Sequence, residues 1–406
     1  MSTPEIFPLA ITPLTAHAFN ADRSQVAVCP NTNEVHIYSR TATGWQLNET
    51  LAEHDKLVTS IDWAPSTNRL VTCSQDRNAY VWSVVQDATT GRTSWKPTLV
   101  LLRINRAATF VRWSPNEDKF AVATGARTIA ICSFEEDNNW WVAKHLKKPI
   151  RSTVLSIDWH PNNVLLAAGS ADNKARVFSA YIKGIDARPA PTIWGEKLPF
   201  NTLCGEFASP SGGWVHSVAF SPSGDTLAFT SHDSSLTIVY PGGPEQPPQA
   251  VYPIRSSTLP YVTLVWTSEN ALVAAGHDCQ PILYSGSIDQ GWKYVRSLDD
   301  VAAKAAAGPG NRLGAAPVGR LNNEAFNRFR TADVRGSGGS SSTSGANADG
   351  ELPTTHQNTI TSIRPYEWEG TEVSKISTTG VDGRLCLFSV AGGAAALVSG
   401  MGRMDI

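Results

Sequence analysis

His54 and Asp76 are the first pair in this 406-residue chain whose types could move a proton: an imidazole, and a carboxylate to orient it as a general base. The carboxylate recurs, however. Asp172, Asp233, Asp278 and Asp382 stand in the same setting as Asp76, each in a short polar turn just ahead of an apolar run. A carboxylate repeated at one point of a pattern serves the pattern, accepting backbone N–H groups across the turn. A second group is cationic: Arg103 and Arg106, then Lys144, Lys147, Lys148 and Arg151. Such a cluster is either ordinary solvated loop or a seat for an acidic peptide. Other chemistry is missing. There is no GxSxG elbow, HExxH helix, Walker loop or EF-hand loop. Gly308-Pro-Gly310 is no dinucleotide fingerprint, because position 313 is Leu, and the nine histidines are scattered without metal-ligand spacing. No catalytic residue, cofactor or metal is expected.

Bulk properties narrow the field. The formal net charge is −2 and 41% of residues are hydrophobic, enough for a large core and no support for bulk nucleic-acid or membrane-surface binding. No apolar run reaches a membrane span, and Met1–Leu14 has Pro4, Pro8 and Pro13 but no basic opening of a signal peptide. Cys29, Cys73, Cys132, Cys204, Cys279 and Cys386 show no CxxC spacing and read as small core residues of a reduced, cytosolic protein.

The elements that must position these residues are strands. Seven apolar runs end in an aromatic or apolar residue followed by Ser or Pro, most clearly Ala79-Tyr80-Val81-Trp82-Ser83 and Ala175-Arg176-Val177-Phe178-Ser179. Weaker copies end at Tyr38, Cys132, Tyr240, Tyr284 and Phe388, so that most copies are spaced between 44 and 62 residues. A second register agrees: Trp63-Ala-Pro65, Trp113-Ser-Pro115, Trp159-His-Pro161 and Phe220-Ser-Pro222 each stop a strand with a proline that cannot donate to a ladder. A period of roughly 40–45 residues with a Trp-Asp-like ending marks WD40 blades. The expected fold is all-β: a single seven-bladed WD40 β-propeller over residues 1–406. In such repeats the turn Asp also bonds the His ahead of the blade, here His54, which meets a strand hydroxyl and Trp82. The first copy offers Asn33 and the third Gly125-Ala126-Arg127, so those two blades are expected to hold by packing alone. The last copy supplies three strands, and Glu5–Thr12 is expected to close the ring as its outer strand.

Two insertions break the period. One carries Arg188-Pro-Ala-Pro191 and Trp194-Gly195, either a long outer loop or a docking surface. The other, over 300–356, is Gly-, Ser- and Ala-rich at its ends, a composition expected to be disordered. Between them, 321–331 reads as a short amphipathic helix. Phe326 and Phe329 share one face of it, while Arg328 and Arg330 lie off that face. A helix without a core of its own needs a partner.

Longer strings resemble one family. They include Asp76-Arg-Asn-Ala-Tyr-Val-Trp82, Leu102-Arg-Ile-Asn-Arg-Ala-Ala108, Lys147-Lys-Pro-Ile-Arg-Ser-Thr-Val-Leu-Ser156, Phe178-Ser-Ala-Tyr-Ile-Lys183 and Gly213-Trp-Val-His216. From about Leu14 to Val390 the chain is similar to the WD-repeat subunit 1, the forty-kilodalton subunit, of the actin-related protein 2/3 complex. That resemblance implies a non-enzymatic ring packed against the other subunits, including actin-related protein 2, with the inserted helix (Phe326, Arg328, Phe329, Arg330) directed at the actin filament of a branch. It further implies help in receiving the acidic tails of nucleation-promoting factors, for which Arg103, Arg106, Lys147, Lys148 and Arg151 are the candidates. The place of work would be the cytoplasm, at the actin cytoskeleton and its cortical patches. Ile193 before Trp194, where the family usually has Pro, and the length of Gly336–Gly350 depart from the pattern. The runner-up is a generic WD40 adaptor, such as a degron receptor of another complex.

Overall fold

The computed structural model describes residues 3–86, 91, 93–243, 246–299 and 352–390. Their strands form seven four-stranded antiparallel sheets. In chain order these are blade 1 (16–51), blade 2 (58–101), blade 3 (108–146), blade 4 (154–208), blade 5 (215–255), blade 6 (261–297) and blade 7 (360–389). In blade 2 the order from the axis outward is Val58–Ala64, Arg69–Ser74, Asn78–Gln86 and Thr93–Leu101, and the others repeat it. Six blades carry a register shift near the start of the innermost strand, for instance between Val58 and Ser60 and between Val154 and Ser156. A bulge there adds twist where the strand leaves the upper face.

Second strands such as Lys119–Thr124 and Leu165–Ser170 are buried throughout, because both of their faces are covered. The core is therefore not one mass. It is seven apolar clusters, each shared by two neighbouring blades, such as Val71, Val81, Trp113 and Phe120 between blades 2 and 3. An axial channel of about 660 Å³ remains between the innermost strands.

The ring closes as expected, with a shorter strand. Glu5–Pro8 pairs antiparallel with Arg384–Ser389, Ile6 opposite Cys386, and becomes the outer strand of blade 7. The ladder stops at Pro8, and Leu9 and Ala10 instead donate both their N–H groups to the Gly383 carbonyl (3.1 and 3.2 Å). Gly383 turns at φ 72°, and a Cβ there would run into the Ala10 carbonyl, so glycine lets the two chain segments meet. Across the seam between blades 7 and 1, His17 bonds Thr379 Oγ1 and Ser377 Oγ, both at 2.9 Å. Arg364 of blade 7 reaches over blade 1: its Nε donates to the His17 carbonyl (3.1 Å) and its Nη2 to the Ile61 carbonyl (3.0 Å), and it pairs with Asp62 of blade 2 at 2.9 Å.

The first insertion is a strap under blade 4. Trp194 is a core residue, buried between blades 4 and 5, and its Nε1 donates to the Gly224 carbonyl (2.8 Å). At the other end the fully buried Lys119 of blade 3 pairs with Asp186, which also accepts from Asn163 Nδ2 (3.0 Å) and Ile182 N (2.6 Å). A buried ammonium tolerates desolvation only with such a partner. Arg188, Ala190 and Pro191 stay exposed between the two anchors.

Burial holds the His17 imidazole well below its usual value, with Arg364 and Arg112 adding to the shift. Below about pH 6.5 the unfolded chain therefore takes up a proton that the ring refuses; the seam's contribution is complete above that pH and falls as the pH drops. Asp158, pushed up to about 6 by burial, opposes this trend between its unfolded and folded values. The urea midpoint of the chain is expected to fall from pH 7.5 to 5.5. His17→Gln should begin lower and lose less over that range; equal slopes would place the pH dependence elsewhere.

Candidate functional site

The upper face carries the loops that lead into each blade and the turns between second and third strands, and it gathers most of the residues singled out above. The five turn aspartates share one task. Asp76, Asp172, Asp233, Asp278 and Asp382 accept the backbone N–H of Asp55, Arg151, Ser211, Leu259 and Gln357 at 2.8–3.2 Å, one residue in each incoming loop. Each carboxylate thus ties a turn to the chain entering the same blade. Fixed in this way, the carboxylates position backbone rather than a reacting group.

In blade 2 the clasp extends into a buried relay. Trp82 Nε1 donates to Thr72 Oγ1 (3.0 Å), the hydroxyl meets His54 Nε2 (2.8 Å), and His54 Nδ1 meets Asp76 Oδ2 (2.7 Å). Only one assignment satisfies every group: Nδ1 carries the proton to Asp76, and Nε2 accepts from Thr72. Burial lowers the His54 pKa against the pull of Asp76, so the imidazole stays neutral. Blade 7 repeats the relay with His356, Thr378 (2.7 Å) and Asp382 (3.0 Å), and Phe388 stacks on the imidazole in the position of the Trp. His356 was missed in the sequence, although it precedes its strand by four residues, as His54 does. In blade 4, Arg176 takes the histidine's place, its Nη1 donating to both Asp172 oxygens at 2.9 Å. The Ser209 and Ser235 hydroxyls complete Asp233.

Blades 1 and 3 do not rely on packing alone. Asn33 Nδ2 donates to the His54 carbonyl (3.1 Å), so the turn of blade 1 holds the loop of blade 2. In blade 3, Gly125 N donates to the Ala107 carbonyl (2.9 Å), the backbone bond that the other blades make beside their aspartate.

The rim cations lie together. Arg103 and Arg106 sit in the loop into blade 3, and Lys147, Lys148 and Arg151 in the loop into blade 4. All five are exposed, and none forms an ion pair among the described residues. The loops meet at Gly125, where a Cβ would touch both Arg106 (3.5 Å) and Thr153 (3.9 Å). Arg127, exposed on that same turn, adds a sixth cation. It was legible only as the missing aspartate of the third copy.

The 321–331 helix with Phe326, Arg328, Phe329 and Arg330 lies outside the described residues; the base of its arm does not. Asp299 is fully buried and accepts from Thr355 N and from Thr355 Oγ1 (2.9 Å), while Gln357 holds Leu352 by two bonds (2.7 and 3.0 Å). Chain leaving at Asp299 and returning at Leu352 is thus pinched at one point on the upper face, beside the His356 relay. Among the described residues no cluster of three or more His, Cys, Asp or Glu could hold a metal ion, and no helix is long and apolar enough to cross a membrane. Among the described residues the cysteines form no disulfide; burial pushes Cys73 and Cys204 up to about 12 and Cys29 and Cys132 higher still, far from thiolate chemistry at neutral pH.

Comparison with known proteins agrees with this architecture. The model of the WD domain, G-beta repeat, matches residues 45–83 and 201–238, and that of the anaphase-promoting complex subunit 4 WD40 domain matches 111–186. The first two matches begin at the outer strand of one blade and end at the third strand of the next, so the sequence repeat is offset from the blade by one strand. The chain is 50% identical to actin-related protein 2/3 complex subunit 1 of Schizosaccharomyces pombe, over 96% of this chain and 100% of the relative. It is 47% identical to subunit 1A-A of Xenopus laevis (93% and 94%) and 37% identical to subunit 1 of Saccharomyces cerevisiae (95% and 97%).

Thr72→Val would strand the Trp82 donor and the His54 acceptor in a buried setting, at a cost of about 2–4 kcal/mol. Asp233→Ala removes bonds at a more open turn and should cost about 1 kcal/mol. Urea titrations of the two variants are expected to rank in that order, and a reversed ranking would deny the relay its weight.

Proposed function

The chain belongs to the actin-related protein 2/3 complex subunit 1 family, and we propose that it serves that complex as a non-catalytic scaffold in the nucleation of branched actin filaments. The observation that carries this reading is the likeness over nearly the whole length of chain and relative alike. In this reading the ring packs against the other subunits, including actin-related protein 2, and works in the cytoplasm at the actin cytoskeleton and its cortical patches. The arm presents Phe326 and Phe329, flanked by Arg328 and Arg330, to the actin filament at the branch. The pinched base at Asp299 and Thr355 supports an arm that acts without disturbing the blades.

The second contact is with the acidic tails of nucleation-promoting factors, received on Arg103, Arg106, Lys147, Lys148 and Arg151 with Arg127 beside them. Exposed cations on two touching loops, none in an ion pair among the described residues, support this role. Their attraction acts over about 10 Å at moderate salt and speeds encounter more than it deepens affinity.

Phe326→Ala combined with Phe329→Ala is expected to lower branch density in filament imaging with the reconstituted complex, while the melting curve of the chain is unchanged. Normal branching would remove the helix from the mechanism. Reversing Lys147, Lys148 and Arg151 to Glu should weaken an acidic activator peptide by about tenfold in anisotropy titrations, and more at low salt. Unchanged affinity would return the patch to ordinary surface. Affinity purification from cells should recover actin-related proteins; ligase subunits in their place would favour a degron receptor.

A further inference from the structure

Arg112 lines the axial channel from the innermost strand of blade 3 (Ala108–Trp113), and Arg364 lines it from that of blade 7 (Ile360–Glu369). The two differ in what they touch. Arg364 is occupied by the His17 and Ile61 carbonyls and by Asp62. Among the described residues Arg112 makes one hydrogen bond, from Nη1 to the Val111 carbonyl (2.9 Å), and it lies over the Phe110 ring at 4.0 Å. No carboxylate oxygen comes within ion-pair distance of it among the described residues. A guanidinium has five N–H donors, so most of those on Arg112 have no acceptor among the described residues.

The nearby carboxylates are committed elsewhere. Asp62 holds Arg364 and accepts from Trp113 N (2.8 Å); Asp158 accepts from Phe220 N (2.8 Å). Both acids latch one blade to the next. Burial, and after it the charge of Arg364, push Arg112 down to about 9. Two cations therefore sense each other in a confined space; the charges of Asp62 and Asp158 offset this in part, though neither carboxylate is within ion-pair distance of Arg112. Around them the wall is rich in hydroxyls: Thr59, Ser60, Thr109 and Ser156 line the channel, and the Oγ atoms of Ser60 and Ser156 are buried without a hydrogen-bond partner among the described residues.

We propose that the axial channel is a binding site for a small phosphate-class oxyanion, seated on Arg112 and steadied by Arg364. A carboxylate offers two acceptor oxygens and one charge. A phosphate offers at least three oxygens and up to two charges, enough to take a fork from Arg112 and still offset the repulsion from Arg364. The channel, at about 660 Å³, admits a hydrated orthophosphate or a pyrophosphate. The site does not rest on the role in actin nucleation proposed above.

Binding should also be linked to Asp158, whose carboxyl lies at about 6. An anion beside it favours the protonated form, so affinity rises as the pH falls from about 7 toward 6. Of the other groups at or near the channel, Asp62, just behind its wall, keeps its Arg364 partner. His216 is lowered to about 4 and His17 well below its usual value, so both remain neutral across that range.

The test is calorimetric titration of the full chain in a low-salt chloride buffer, with orthophosphate and pyrophosphate as separate arms and sulfate, whose charge is fixed, for the pH series. Saturable binding at one site, with Kd below about 1 mM, is expected for at least one phosphate. The tighter arm tells a single phosphate from a linked pair. Arg112→Gln should weaken binding about tenfold or more, and Arg112→Lys, which keeps the charge and loses the fork, by less. Asp158→Asn should tighten sulfate binding and flatten its pH dependence. Absence of saturable binding up to about 10 mM, or equal affinity in wild type and Arg112→Lys, would overturn the proposal even if the Gln variant did not fold.

Discussion

A sheet with two apolar faces cannot stand in water, and every blade of this ring has two. Each face is covered only by the neighbouring blade, so no blade can be removed without exposing two others, and the ring has to close. The seam between blades 7 and 1 makes the constraint quantitative. Leu14, Phe19, Val26, Val28, Tyr38, Tyr366, Leu385 and Leu387 are buried there together. At about 1.5–3 kcal/mol per large apolar side chain, opening that wedge alone would cost on the order of 10–20 kcal/mol, as much as the whole stability of a typical domain. His17, Arg364 and Gly383 then fix which surfaces meet, rather than supplying the bulk of the energy.

The polar clasps on the upper face divide the work differently from a reading based on paired His and Asp. The aspartate is general: five blades use it to hold the incoming chain by one N–H. The histidine is optional, present in blades 2 and 7 and replaced by Arg176 in blade 4 and by serine hydroxyls in blade 5. Bonds to backbone tolerate this variety because the acceptor needs only a position, while the group behind it needs only to leave no buried donor unsatisfied.

Periodicity made the blade number, the strand order and the turn aspartates legible, because each rests on local spacing; the closing strand followed from the count, since the last copy supplies only three strands. What escaped depends on contacts across hundreds of residues. Arg364 bonds residues in blades 1 and 2 that lie some 300 positions away in the chain, and nothing near it in sequence signals that. Trp194 read as part of a stiff loop, because its anchor on Gly224 belongs to another blade. His356 stood at the right offset from its strand but was hidden behind the long insertion. Arg127 lay in plain view as a defect in the repeat. The rim cations were found from charge alone, and the structure adds that Gly125 brings their two loops into contact. The inserted helix remains a matter of sequence.

The offset of one strand between repeat and blade has a consequence for biogenesis. Six sheets are each complete within a continuous stretch of chain, but the seventh combines Glu5–Pro8 with the three strands of Ile360–Ser389. During synthesis Glu5–Pro8 has to wait, unpaired, until Arg384–Ser389 has left the ribosome, and blade 1 keeps one uncovered flank for that whole interval. Such an intermediate invites either a chaperone or a neighbouring molecule's strand, so fidelity of assembly is decided when the strands of blade 7 emerge.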